Sequence, residues 1–76
     1  MPDQAYDKVS VLASIYTVEE LREHFAIWRQ AEADYLKDAD NTDKLAWWRQ
    51  DRRKEAAISR LNAEAFEAAL KLKEQA

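Results

Sequence analysis

The chain has 76 residues, a formal net charge of −3, no glycine, no cysteine and a single proline. A chain of this length makes one domain, 1–76, with a modest core. The absence of cysteine excludes disulfides, thiolate metal sites and cysteine nucleophiles. The absence of glycine excludes glycine-rich phosphate loops and favours a few long helices over many tight turns. The composition therefore predicts an all-α fold.

The sequence predicts neither a membrane-spanning segment nor a signal peptide. No apolar run approaches the roughly 18 residues that span a bilayer. The opening residues 1–4 lack the basic region and apolar stretch of a signal peptide. We therefore expect a cytoplasmic protein that contacts no membrane.

An N-terminal helix is predicted over about residues 3–15. Pro2 and Asp3 suit a helix start. Val9 and Val11 also fit the alternation of a strand, but a lone strand would have no partner here. The apolar positions at helical spacing are Ala5, Val9, Leu12 and Tyr16.

The clearest local signal lies at Thr17. Its hydroxyl can cap the first turn while Glu20, three residues on, reaches back to the Thr17 amide, which is a capping box. Tyr16 and Leu21 flank it as a hydrophobic staple. The sequence therefore predicts a helix over residues 18–38.

A third and longest helix is predicted over residues 42–75. The segment 38–43 is rich in residues that bond their own backbone, which ends the helix over 18–38. Because the link is short, the two helices must run antiparallel. We expect a helical hairpin, completed to three helices by the N-terminal helix or by oligomerisation.

The long helix carries two apolar stripes about 150° apart, which predicts two neighbours. We expect the first stripe to pack within the chain or against an identical chain. We expect part of the second stripe to be buried only in a complex, since Trp and Arg are enriched at interfaces. The first stripe comprises Trp47, Ile58, Leu61, Ala65, Ala68 and Leu72. The second stripe comprises Leu45, Trp48, Ala56, Ser59, Ala63, Phe66 and Leu70, interrupted by Arg52.

The densest group of distinctive residues starts at the adjacent tryptophans. These side chains can serve a protein interface, stack on nucleic acid, or form core with arginines lying beside it. The predicted partner-binding residues are Trp47, Trp48, Arg49, Arg52, Arg53, Phe66 and Leu70.

Two polar pairs are further candidates. Glu32 and Arg52 each interrupt an apolar stripe and could pair to fix the register of the hairpin. His24, the only histidine, follows Glu20 by four residues, but two ligands do not complete a zinc site. We also expect no hydrolytic triad. We expect no enzyme activity, metal, cofactor or small-molecule substrate.

Charge is divided between the halves of the chain. Residues 1–43 carry −6 and residues 44–76 carry +3. The two halves would attract each other in a hairpin. Alternatively, the basic residues Arg49, Arg52, Arg53 and Lys54 could contact nucleic acid.

The capped helix and the Trp-Arg cluster together resemble a known family. Tyr16 to Leu21 and Ala26 to Glu32, followed by Leu45 to Arg49 and Arg52-Arg53, are similar to small tailed-phage proteins of the W-type head–tail joining group. Those proteins join their helices by a glycine-containing β-hairpin, whereas only 37–43 is available here, and they lack the long C-terminal helix. The resemblance implies a virion-assembly protein that packs as a ring, located in the host cytoplasm or the virion.

Three functions follow from these observations. The first is a non-enzymatic protein-interaction or assembly module, homo-oligomeric or bound to another protein. The second is a small inhibitor that blocks a nucleic-acid-binding partner with a row of acids imitating phosphates. The third is a nucleic-acid accessory protein using the Trp-Arg cluster. The acids in the proposed row are Glu19, Glu20, Glu23, Glu32, Asp34 and Asp38.

Overall fold

The structure, a computed structural model, describes residues 7–75, which form three helices and no strand. Helix α1 spans Lys8–Ile15, α2 spans Val18–Ala39 and α3 spans Ala46–Gln75. This confirms the all-α class and the long C-terminal helix of the predicted hairpin. None of the three is both long and apolar enough to cross a membrane.

Helix α1 starts at Asp7. The Asp7 carboxylate accepts from the Val9 amide at 3.1 Å and from the Ser10 hydroxyl at 3.0 Å, which caps the first turn. The predicted start at Pro2 and Asp3 lies outside the described residues. Helix α1 is only eight residues long, too short to be stable alone, so its packing on α3 must support it.

The capping box at the start of α2 forms as predicted. The Thr17 hydroxyl accepts from the Glu20 amide at 3.1 Å, and the Glu20 carboxylate accepts from the Thr17 amide at 2.9 Å. Helix α2 ends at Ala39, one residue beyond the predicted end.

Helix α3 begins at Ala46, four residues later than predicted. The Asn41 side chain accepts from the Asp43 amide at 3.0 Å, and the Asn41 carbonyl accepts from the Lys44 amide at 3.2 Å. These turn contacts use the polar groups that would otherwise cap a helix at residue 42. The helical hydrogen bonds of α3 begin with the Arg49 amide, which donates to the carbonyl of Leu45, the residue before the helix.

Helices α2 and α3 form the antiparallel hairpin. Arg22 near the start of α2 pairs with Glu74 near the end of α3 at 2.9 Å. At the other end, Arg49 Nε donates to the Ala39 carbonyl at 2.8 Å.

Helix α1 runs parallel to α3 along its second half. Lys8 Nζ donates to Asn62 Oδ1 at 3.2 Å, and Lys73 Nζ donates to the Ala13 carbonyl at 3.0 Å. Within residues 7–75, the N-terminal part of α3 therefore packs against α2 alone.

The core is thin because small residues fill most of it. Only three large apolar side chains among the described residues are buried, whereas eight are exposed. The Cα radius of gyration is 15.4 Å, against about 11 Å for a compact domain of this length. The buried apolar residues are Leu12, Leu21, Ala39, Ala56, Ala63, Phe66 and Ala69.

Candidate interaction surfaces

The second stripe lies beneath α2, except for Leu45, which precedes α3 and is 67% exposed. Ala56, Ser59 and Ala63 are buried, and so is Phe66 at the junction with α1. The small side chains of Ala56, Ser59 and Ala63 let α2 approach α3 closely, which explains why α2 covers this stripe rather than the first. The prediction that Phe66 faces a partner is therefore wrong for the single chain: Phe66 is a core residue. Leu70 is half-buried and packs against the same core.

The first stripe faces away from α2. Its large members are exposed: Ile58 by 50%, Leu61 by 63% and Leu72 by 45%. The prediction that this stripe could pack within the chain is wrong for these large members. The stripe lies opposite the hairpin contact, and the eight-residue α1 lies along one of its edges, where the half-buried Ala65 packs against the core. Packing against an identical chain, the other form of the prediction, stays open.

The two adjacent tryptophans occupy different surroundings. Trp47 belongs to the first stripe and is 66% exposed. Trp48 is half-buried, with Lys44 Nζ 5.6 Å and Arg52 Cζ 5.5 Å from its ring centroid. Trp48 therefore belongs to a cation–π cluster within the chain, whereas Trp47 is free to contact another molecule.

Two of the predicted partner-binding arginines are used inside the chain. Arg49 bonds the Ala39 carbonyl at the end of α2. Arg52 lies over the Tyr35 ring at 5.1 Å and bonds Asp51, and this hydrogen bond raises the pKa of Arg52 above its ordinary value. Arg53 is exposed.

The predicted pair of Glu32 with Arg52 does not form. Glu32 instead accepts from Arg29 at 3.3 Å on its own helix. It lines a shallow groove that Arg53 also lines. The reason is the register of the hairpin, since the bond from Arg49 to Ala39 places Arg52 beside Tyr35, about one turn from Glu32.

His24 lies in an aromatic contact. Its ring stacks on Phe66, with centroids 5.0 Å apart, and its centroid is 4.8 Å from that of Tyr16. Glu20, the other half of the two-ligand hypothesis, is engaged in the capping box. Across residues 7–75, no three potential ligands come together to hold a metal ion.

Sequence reasoning missed the part that Tyr35 plays. Its ring centroid lies 5.1 Å from Arg52 Cζ, so Tyr35 forms a cation–π contact between α2 and α3. Arg52 interrupts an apolar stripe of α3, and Tyr35 borders an apolar stripe of α2. Their positions on the facing sides of the two helices were the sequence feature that could have predicted this contact.

Comparison of the chain with protein-family models, curated proteins and solved structures gives no match.

Proposed function

We propose that this chain is a non-enzymatic protein–protein interaction module that buries the first stripe of α3 in a complex. The observation that supports this most directly is the exposure of Ile58, Leu61 and Leu72 along one outward line of the helix. Exposed apolar residues scattered singly are ordinary, but a contiguous row of them is characteristic of an interaction surface.

The thin core adds a second argument. Domains of this size usually need a disulfide, a metal or an oligomeric partner to be stable. The chain has no cysteine. The chain buries few large apolar residues by itself. Burial of Ile58, Leu61 and Leu72 in a complex would increase the buried apolar area and so the stability. Complex formation therefore suits the folding needs of this chain as well as the shape of its surface.

The competing functions receive less support from side-chain placement. In the acidic row, Glu20 is engaged in the helix cap and Glu32 pairs with Arg29. In the basic cluster, Arg49 and Arg52 make contacts within the chain. Neither set presents all its charges to a partner. The arguments for phosphate mimicry and for nucleic-acid binding are both weaker for this reason.

The resemblance to head–tail joining proteins gives the proposal a narrower form. In a ring, copies meet through two different patches of the surface, whereas in a two-fold dimer they meet through the same patch. The exposed Trp47 would be available to such a contact. The mass of the assembly distinguishes the two arrangements.

The test compares two glutamate substitutions of the tagged chain in the cells that naturally produce it. Leu61→Glu places a charge in the first stripe, while the control Ala33→Glu places the same charge on an exposed part of α2. Size-exclusion chromatography of the cell extract then reports the mass of the particle that carries the tag. We expect wild type and Ala33→Glu to elute in a complex, and Leu61→Glu to elute at the monomer mass. Wild type at the monomer mass, or a complex that survives Leu61→Glu, would contradict the proposal.

A further inference from the structure

We infer that the first stripe binds a second copy of this chain, with the two α3 helices antiparallel and Ala65 of each copy opposite Ala68 of the other. The inference rests on the proposed function and names its partner. It is carried by the spacing of the apolar residues, of which Ile58, Leu61 and Leu72 are exposed and Ala65 and Ala68 are half-buried, and by the charges that border them.

The spacing is that of a coiled-coil seam. From Ile58 the stripe continues to Leu61, Ala65, Ala68 and Leu72 at alternating intervals of three and four residues. This repeat keeps one line of side chains facing a partner helix along its length. The wider stripe is interrupted before Ile58 by charged residues at the same spacing, so the seam occupies the second half of α3.

The seam is self-complementary when the helices are antiparallel. With Ala65 opposite Ala68 of the other copy, Leu61 lies opposite Leu72, and the two-fold axis repeats both contacts. Small residues then meet at the centre, where the helices approach closely, and leucines meet on either side. The identical patch serves both copies, as a closed two-fold dimer requires.

The charges beside the seam favour the antiparallel direction. Glu64 and Lys71 lie on the same edge of the stripe, both exposed, and neither forms an ion pair with any residue from 7 to 75. In the antiparallel dimer, Glu64 of one copy lies within about two residues, roughly 3 Å along the axis, of Lys71 of the other. The two-fold axis makes this two opposite-charge pairs. A parallel dimer would place Glu64 beside Ala69 instead and would form neither pair.

Helix α2 leaves the seam free, whereas α1 borders it, and the two-fold axis places the α1 helices of both copies along the same edge. Helix α2 covers the opposite side of α3, where Ala56 and Ala63 are buried. Helix α1 lies along the other edge of the seam, where Lys8 bonds Asn62. The exposed Ile15 at the end of α1 adds apolar surface on that edge.

Sedimentation equilibrium of the purified full chain tests the dimer. Wild type should have twice the monomer mass. Glu64→Lys alone and Lys71→Glu alone each replace two attractive pairs by two repulsive ones and should weaken dimerisation about tenfold. An equimolar mixture of the two variants should dimerise as wild type does, because the heterodimer restores both pairs. Circular dichroism checks that each variant retains the helicity of wild type.

A second measurement reports helix direction independently of charge. Because the chain has no cysteine, single substitutions give unambiguous disulfides. Ala65→Cys and Ala68→Cys should cross-link to each other on oxidation, and neither should cross-link efficiently to itself. Self-cross-linking of each would show a parallel dimer and overturn the inference.

The remaining outcomes also decide the matter. A purified wild-type chain that is monomeric, or larger than a dimer, overturns the inference, as does a variant mixture that stays weak. A chain that is monomeric when pure but complexed through Leu61 in cells overturns the dimer alone and leaves the proposed function standing. A chain that is monomeric in both settings overturns both.

Discussion

Phe66 and Leu61 lie on the same helix, five residues apart, and face directions about 140° apart. Phe66 is 7% exposed and stacks with His24, whereas Leu61 is 63% exposed. One is therefore held by the chain itself and the other is available to a neighbour.

Replacing these two residues by alanine should separate folding from association. Phe66→Ala should lower the free energy of unfolding by about 3–5 kcal/mol at every protein concentration, because it leaves a cavity in the core. Leu61→Ala should lower thermal stability only where the chain is associated, since binding adds stability by mass action. Thermal melts over a hundredfold range of concentration measure both effects. A concentration-independent loss for Leu61→Ala would place this side chain in the core.

The capping box predicts a smaller, local effect. Thr17→Ala should destabilise the chain by about 1 kcal/mol, because the Glu20 amide loses its acceptor at the first turn of α2. Thr42→Ala, in the exposed link, serves as the matched control. Urea denaturation followed by circular dichroism gives the two midpoints, and equal midpoints for both variants would show that the cap contributes nothing.

The bond between Arg49 and Ala39 should hold the closed end of the hairpin. Arg49→Ala should cost about 1–3 kcal/mol, since the Ala39 carbonyl at the end of α2 loses a charged donor. Arg53→Ala removes an exposed arginine from the same helix and should change stability little. Amide hydrogen exchange should show faster opening of residues 39–45 in Arg49→Ala only. If both variants exchange alike there, the bond does not hold this end.

Removal of metal ions should leave the fold intact. His24 is packed between Tyr16 and Phe66, and Glu20 is used by the cap, so neither is arranged as a metal ligand. The ellipticity at 222 nm and the thermal midpoint should be the same before and after exhaustive dialysis against a chelator. A drop in either that added zinc reverses would mean that His24 binds metal.

Local signals predicted most of the fold. The capping box at Thr17 and the polar link after Ala39 depend on residues close in sequence, so their chemistry can be recognised without the tertiary structure. The antiparallel hairpin follows from the shortness of that link.

The faces of α3 could not be assigned in the same way. Both stripes are apolar, and the choice between them depends on how closely α2 can approach, which small residues such as Ala56 and Ala63 decide. The pairing of Glu32 with Arg52 failed for a related reason. It required the register between two helices, which is seen only in the tertiary structure, where Arg49 bonds the Ala39 carbonyl.

The alanine-lined contact between α2 and α3 also determines which sequence changes the chain can tolerate. Ala56 and Ala63 are 3% exposed or less, so any larger side chain there must push the helices apart. A saturation mutagenesis screen for folded protein should therefore reject enlargement at these positions, even by other apolar residues. At Leu61 the same screen should accept polar residues. Selection for fold and selection for association would thus leave separate patterns of allowed residues on opposite sides of one helix.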